Sequence, residues 1–299
     1  MRKSSVPATI SLPASNLSEL AECLSLGLRQ ELFLTPKPGL VDLLDRGSHP
    51  DLSLPLMLES IEFVGEAFQA FARLLDQGAT PLELVPSGRL LEMKLLDTFG
   101  TNTHKGSIFL GGLLLCAYAP AMQKESTLSQ AVRETAATLL PGHDTGETNG
   151  ARIRNQGGET GILGEARRGL PAIFETALPA LHEARDNGLN GTLSGLLALA
   201  RLMQVVEDTT ALHRCGTAGL LRIQSDGRRL EALLHEGQSP YPFLRETNRG
   251  YIRQRLTMGG VADLLGMSFG LFRFLRNSRG SFLVAESLPD SSHQPGYQH

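Results

Sequence analysis

The chain has 299 residues, a formal net charge of −3 and 41% hydrophobic residues, enough to bury a substantial core in one large domain or two. Its Lys and Arg residues are scattered rather than gathered into a basic stripe with interleaved aromatics, which argues against nucleic acid as a partner. No apolar run reaches about 18 residues without polar interruption, which argues against a membrane span.

The N-terminus, "MRKSSVPATISLPAS", has basic residues but no continuous apolar stretch, so secretion is not expected. Cys23, Cys116 and Cys215 are odd in number and far apart, which fits reduced thiols and a cytoplasmic location rather than a disulfide framework. Residues 1–14 are expected to be a flexible lead-in. Along residues 16–33, Leu17, Leu20, Leu24 and Leu28 share one helical face, and Asn16 with Glu19 resembles a capping box. Residues 58–76 repeat the pattern through Ile61, Val64, Phe68, Phe71 and Leu75. "GSIFLGGLLLCAY" and "GTLSGLLALARLMQVV" are apolar nearly all round, as central helices shielded on every side are. Between them, "STLSQAVRETAATLL" offers Ser126 as a cap and Pro141 as a stop. Residues 142–160 read as a long loop, in which His143 and Asp144 are expected to be merely solvated. "GGVADLLGMSFGLFRFL" gives a last long helix, and residues 279–299 read as a disordered polar tail. Strand signals are absent: there is no sustained period-two alternation and no hairpin signal. The expected fold is therefore all-α, a single multi-helix domain over residues 15–278.

Polar residues gather in short clusters where these helices end. "TPKPGLVD" (Thr35–Asp42) holds Lys37 between two prolines and ends in Asp42; "GSHPD" follows with His49 and Asp51. "GTNTHKG" brings Asn102, Thr103, His104, Lys105 and Gly106 to the mouth of an apolar helix. "GEARRG" carries Glu165. "EDTTALHRCG" carries Asp208, His213 and Arg214, and "RQRLTMGGVAD" ends in Gly259, Gly260 and Asp263. Each cluster taken singly suits a turn or a cap. Together, at converging helix ends, they supply carboxylates, cations and imidazoles for phosphates and a divalent cation. No GxxxxGK[ST] or GxGxxG is present, so a nucleotide would be held without a P-loop.

"TPKPGLVD", "GSH-x-D", "NTHKG", "G-x-x-GEA-x-x-G-x-P", "DTT-x-x-HR-x-G" and "GG-x-AD" stand here in an order and spacing that resembles the triphosphoribosyl-dephospho-CoA synthase family. The likeness covers roughly residues 20–275. It departs at Asp208-Thr209-Thr210, where the family pattern has Asp-Thr-Asn, at Cys215-Gly216, and at Met258 and Val261 around the double glycine. The resemblance implies a mostly helical fold, a Mg²⁺ requirement, and transfer of the triphosphoribosyl group of ATP to the ribose 2′-hydroxyl of 3′-dephospho-CoA with release of adenine. The product would pass to a separate transferase that loads an acyl carrier subunit of citrate lyase or malonate decarboxylase.

Glycosyl transfer commonly uses one carboxyl group as acid and another as base. On that chemistry Asp208 or Glu165 is expected to be the base on the 2′-hydroxyl. Asp42 and Asp263, with Asp51, are expected to bind Mg²⁺ directly or through water. Lys37, Lys105 and Arg214 are expected to hold phosphates, aided by Asn102, Thr103, Gly106, His213, Gly259 and Gly260. His104 and His49 would orient phosphate or assist proton transfer to adenine. Two rivals stay open: a metal-dependent nucleotide phosphohydrolase, which would release phosphate instead of adenine, and a silent nucleotide or dephospho-CoA binder, which would tolerate neutral carboxylates.

Overall fold

A computed structural model of the chain describes residues 17–123, 127–140 and 161–285. The described residues form eleven α-helices and one π-helical turn, with no strand, as the missing period-two pattern predicts. In chain order these are α1 (Leu17–Phe33), α2 (Leu54–Asp76), α3 (Pro81–Phe99), α4 (Lys105–Gln123), α5 (Leu128–Leu139), α6 (Gly161–Arg167), a π-turn (Ala172–Ala177), α7 (Leu178–Asp186), α8 (Gly191–Val205), α9 (Thr209–His235), α10 (Tyr241–Gln254) and α11 (Gly259–Ala285). The expected Asn16 cap, the lead-in 1–14, the 142–160 loop with His143 and Asp144, and the tail beyond Ala285 lie outside the described residues.

Several boundaries move for identifiable reasons. Helix α2 starts at Leu54 because the Ser53 hydroxyl accepts the Leu56 N–H and Pro55 sits in the first turn, where its missing N–H costs nothing. The cap of α5 is Thr127, not Ser126; its hydroxyl accepts the Gln130 N–H at 3.2 Å. Helix α3 was not expected at all, yet Thr80 and Glu83 close a full capping box at its start and Gly100 ends it in the left-handed region at φ 68°. Helix α11 runs to Ala285, past the expected boundary at 278.

Helices α4 and α8 are apolar all round because they are covered all round. Leu110, Leu114, Leu115 and Tyr118 of α4, and Leu196, Leu199 and Leu202 of α8, are fully buried. Over Lys105–Met122, α4 is long and apolar enough to cross a membrane by length and composition, contrary to the expectation that no run would be; neighbouring helices cover most of it. Helix α1 lays Leu20, Leu24, Leu28 and Leu32 against α2 and α11, each burial contributing about 1.5–3 kcal/mol. The crossing with α11 is backbone to backbone. A Cβ on Gly27 would fall 2.3 Å from the Gly266 carbonyl oxygen, so no side chain fits there.

This packing brings the starts of four helices together. Asp208, the cap of α9, accepts the Val261 N–H in the first turn of α11 at 3.0 Å. Gly161, the first residue of α6, lies so close to Thr209 that a Cβ would sit 2.5 Å from its methyl carbon. Gly106, in the first turn of α4, faces both Asp263 of α11 and Ile162 of α6. The positive ends of four helix dipoles therefore lie together, with the first N–H groups of α9 and the Val261 N–H of α11 taken up by Asp208.

Candidate active site

The segment between α1 and α2 is folded on its own carboxylates. Asp42 Oδ2 accepts the Lys37 N–H at 2.8 Å, while Oδ1 accepts the N–H groups of Leu44 at 2.7 Å and Asp45 at 3.3 Å. Asn248 of α10 pins the same turn, accepting the Gly39 N–H and donating to Asp45 Oδ2, both at 2.9 Å. With the turn fixed, Lys37 points inward. Its ammonium donates to the backbone oxygen and Oε1 of Glu31, each at 2.5 Å. The two side chains are 0% and 6% exposed, so this is a buried ion pair rather than a surface one.

Next to it lies His104, at the entry to α4. Its Nδ1 is 2.8 Å from the Ser60 hydroxyl, which in turn is 2.5 Å from that of Thr103. Burial and the nearby Lys37 charge lower the imidazole to about 4, so it is neutral at physiological pH.

Asp208 and Asp263 stand where α9, α11 and α4 meet, and they differ in what they have left to offer. Asp208 is fully buried and accepts three backbone N–H groups, those of Thr210, Ala211 and Val261, at 2.9–3.0 Å. Burial pushes its pKa up against the pull of those donors. It fastens two helix starts. Asp263 is only half-buried and accepts the Ser107 hydroxyl. Removal from bulk water pushes it up to about 7 against the Ser107 bond, and the charges of Glu31 and Asp208 push the same way. A carboxyl group poised near neutrality, with access to solvent, has the properties of a general base.

A second group surrounds His49, whose Nε2 lies 2.8 Å from the Thr257 hydroxyl just before α11. Arg214 donates to the Ser48 carbonyl at 2.9 Å. Burial first and the Arg214 charge second lower His49 to about 4. Asp51 accepts the Thr101 hydroxyl, and Lys105 is half-exposed and paired with Glu92 at 3.1 Å.

Of the residues expected from the sequence, Lys37, Asp42, His104, Gly106, Asp208, Gly260 and Asp263 are linked through these contacts. His49, Asp51 and Arg214 form the adjoining group. Asn102 and His213 are exposed, Thr103 bonds Ser60, and Gly259 opens α11. Glu165 is committed to its own turn, with Arg168 at 2.6 Å on one oxygen and the Ala172 N–H at 2.9 Å on the other. The carboxylates expected to bind Mg²⁺ do not form a cage: among the described residues, no three His, Cys, Asp or Glu side chains could together hold a metal ion. Asp42 already accepts three backbone N–H groups.

Sequence reasoning missed Glu31, Ser60 and Ser107. Glu31 had a legible signal: it continues the Leu20, Leu24, Leu28 face of α1, a charge at a core position. Ser60 likewise falls on the buried face of α2, one turn before Val64. The closeness of Gly106 to Asp263 yields a direct expectation. A Cβ there would lie 2.1 Å from Asp263 Oδ2, so Gly106→Ala must displace the carboxylate; turnover should fall by at least about tenfold with the helical circular dichroism unchanged.

The family described as ATP:dephospho-CoA triphosphoribosyl transferase matches residues 17–281. The chain belongs to that family. Three relatives, each named "Probable 2-(5''-triphosphoribosyl)-3'-dephosphocoenzyme-A synthase", are similar over nearly their whole length. The protein of Pseudomonas paraeruginosa is 34% identical over 282 residues, covering 89% of this chain and 95% of its own. That of Azotobacter vinelandii is 35% identical, covering 88% and 94%. That of Pseudomonas putida is 35% identical, covering 87% and 94%. No solved structure matches the chain. As a member of the triphosphoribosyl transferase family it is an enzyme of the transferase class, which ranks the phosphohydrolase and silent-binder readings below it.

Proposed function

We propose that this transferase moves the triphosphoribosyl group of ATP to the ribose 2′-hydroxyl of 3′-dephospho-CoA, releasing adenine, where the starts of α4, α6, α9 and α11 meet. The observation that carries the placement is Asp263, a half-buried carboxyl group at that meeting point with its pKa pushed up to about 7. The chemistry divides among the residues present. The start of α4 and Lys105 face the negative charge of the triphosphate. Asp263 takes the 2′-hydroxyl proton as the new C1′–O bond forms and the bond from C1′ to adenine breaks. Neutral His104, held by Ser60, orients the nucleotide without adding charge.

Retention would need a second carboxylate as nucleophile. Asp208 is beside Asp263, yet its oxygens are held by three backbone N–H groups, which favours a single displacement with inversion at C1′. The residues present fit Mg²⁺ as the counter-ion of the ATP triphosphate, its shell made of phosphate and water oxygens, better than an ion in a protein-built cage. When bound, it would neutralise phosphate charge. The proposal places the enzyme in the cytoplasm, in keeping with three free thiols, and passes its product to a separate transferase for the acyl carrier subunit of citrate lyase or malonate decarboxylase.

The test is purified protein with Mg²⁺, ATP and 3′-dephospho-CoA, followed by chromatography for adenine. Adenine formed only with both substrates, with the matching gain in mass of the acceptor, is the expected result. ADP and phosphate without adenine would instead establish a phosphohydrolase, and tight acceptor binding without turnover a silent binder.

A further inference from the structure

Helix α3 is apolar on two opposite faces. One carries Leu84, Leu91 and Leu95 against the core, and an apolar cavity of about 80 Å³ remains beneath it, lined by Phe71, Gly88 and Cys116 among others. The other carries Leu82, Pro86, Leu90, Met93 and Leu96, which recur at the helical intervals of three and four. Their leucines and methionine are each 50–63% exposed. Of the eleven large apolar side chains exposed among the described residues, four stand on this one face, so they form a patch rather than a scatter. Two charged residues lie inside the patch. Arg89 and Asp97 stand equally far before and after Met93, as Leu90 and Leu96 do, and neither charge is paired among the described residues.

We propose that the exposed face of α3 joins two copies of this chain in an antiparallel dimer whose two-fold axis passes at Met93. A face with opposite charges placed symmetrically about an apolar centre is complementary to itself. With the axis at Met93, Arg89 of one copy comes level with Asp97 of the other, and Leu90 level with Leu96, at both ends of the seam. A partner of one sign would leave either Arg89 or Asp97 facing its like, whereas a second copy satisfies both. The row from Leu82 to Leu96 is about 21 Å long at 1.5 Å per residue. One helix pair of that length sits at the small end of specific interfaces, below about 1,200 Å², so the dimer is reversible and its population follows concentration. Glu92 of the same helix is ion-paired to Lys105 at 3.1 Å, so the contact braces the entry to α4 without adding a residue to the site.

Sedimentation velocity on the full chain tests this, read from about 1 to about 100 μM. The mass should move from 32.3 kDa towards twice that value as concentration rises. Met93→Glu puts two like charges on the axis and should stay monomeric throughout, with helical circular dichroism unchanged because the side chain is exposed. Charge exchange then fixes the register. Arg89→Asp alone and Asp97→Arg alone each set like charges against one another at both ends of the seam, so each should be monomeric. Mixed together, the two variants meet with opposite charges at both ends and should dimerise, as should a chain that carries both substitutions. A wild type that stays monomeric overturns the proposal and leaves the face to another occupant. A dimer that survives Met93→Glu, or a mixture of the two charge variants that stays monomeric, overturns it as well.

Discussion

Asp263→Asn is expected to reduce adenine release by about 10²- to 10⁴-fold, the usual loss when a general base is removed. Asparagine keeps the shape and can still accept the Ser107 hydroxyl, so the defect belongs to the lost proton acceptor rather than to packing. In wild type the base must be ionised, so kcat should rise with pH through about 7 and then level, following the raised pKa of Asp263. The variant should lose that limb. Stability gives an independent reading with the opposite sign. The native state keeps the Asp263 proton up to about 7, whereas the unfolded chain releases it near the ordinary aspartate value of 3.8. Between those pH values the native state binds more protons, so this group's contribution to stability is full below about 4 and is lost as pH rises through 7. Asp263→Asn should therefore raise the thermal midpoint relative to wild type more at pH 8 than at pH 5. Turnover within threefold of wild type, or an unchanged pH limb, would remove Asp263 from the chemistry.

What the sequence made legible follows a physical divide. The apolar faces of α1, α2, α4, α5, α8 and α11 are periodic, and periodicity is what a sequence displays. The missed helices lack that contrast. Helix α3 buries only Leu84 and Leu95 fully and carries Pro86 inside it, and α9 is interrupted at Gly216, whose φ of 62° breaks the helical run. The site divides in a similar way. Motif order put Lys37, His104, Asp208 and Asp263 in one region, because turn and cap residues mark helix ends and helix ends converge. What each does could not be read from residue type. Asp208 and Asp263 are both aspartates beside threonine- or glycine-rich turns; only the count of N–H donors on each separates a fastener from a base. Glu165, conspicuous between glycines, turns out to hold the Ala172 N–H. Glu31 was visible as a charge on the Leu20, Leu24, Leu28 face, but its partner was not, because Lys37 lies six residues on across a turn fixed by Asp42 and Asn248.

The buried pair is the other place where one substitution should have a large effect. Lys37→Met removes the ammonium that meets Glu31 and leaves a carboxylate enclosed without its cation, a change that typically costs about 3–5 kcal/mol. Burial already pushes Glu31 up and only Lys37 pulls it down, so the variant should protonate Glu31. Denaturant unfolding should accordingly show a smaller deficit at pH 5 than at pH 8. The double variant Lys37→Met with Glu31→Leu should recover most of the stability, because an apolar pair of similar volume carries no desolvation cost. Its catalysis should still differ from wild type in a way that a merely structural role would not produce. Glu31 is one of the charges that push Asp263 up, and Lys37 is one of the causes that hold His104 down. Without Glu31 the acidic limb of the rate profile should move below 7. Without Lys37 the His104 ring, followed by NMR, should titrate above its present value of about 4. A double variant with recovered stability and an unmoved limb would show that the pair only shapes the loop. A limb displaced downward would show that the ion pair buried beneath the site sets the pH at which Asp263 becomes a base.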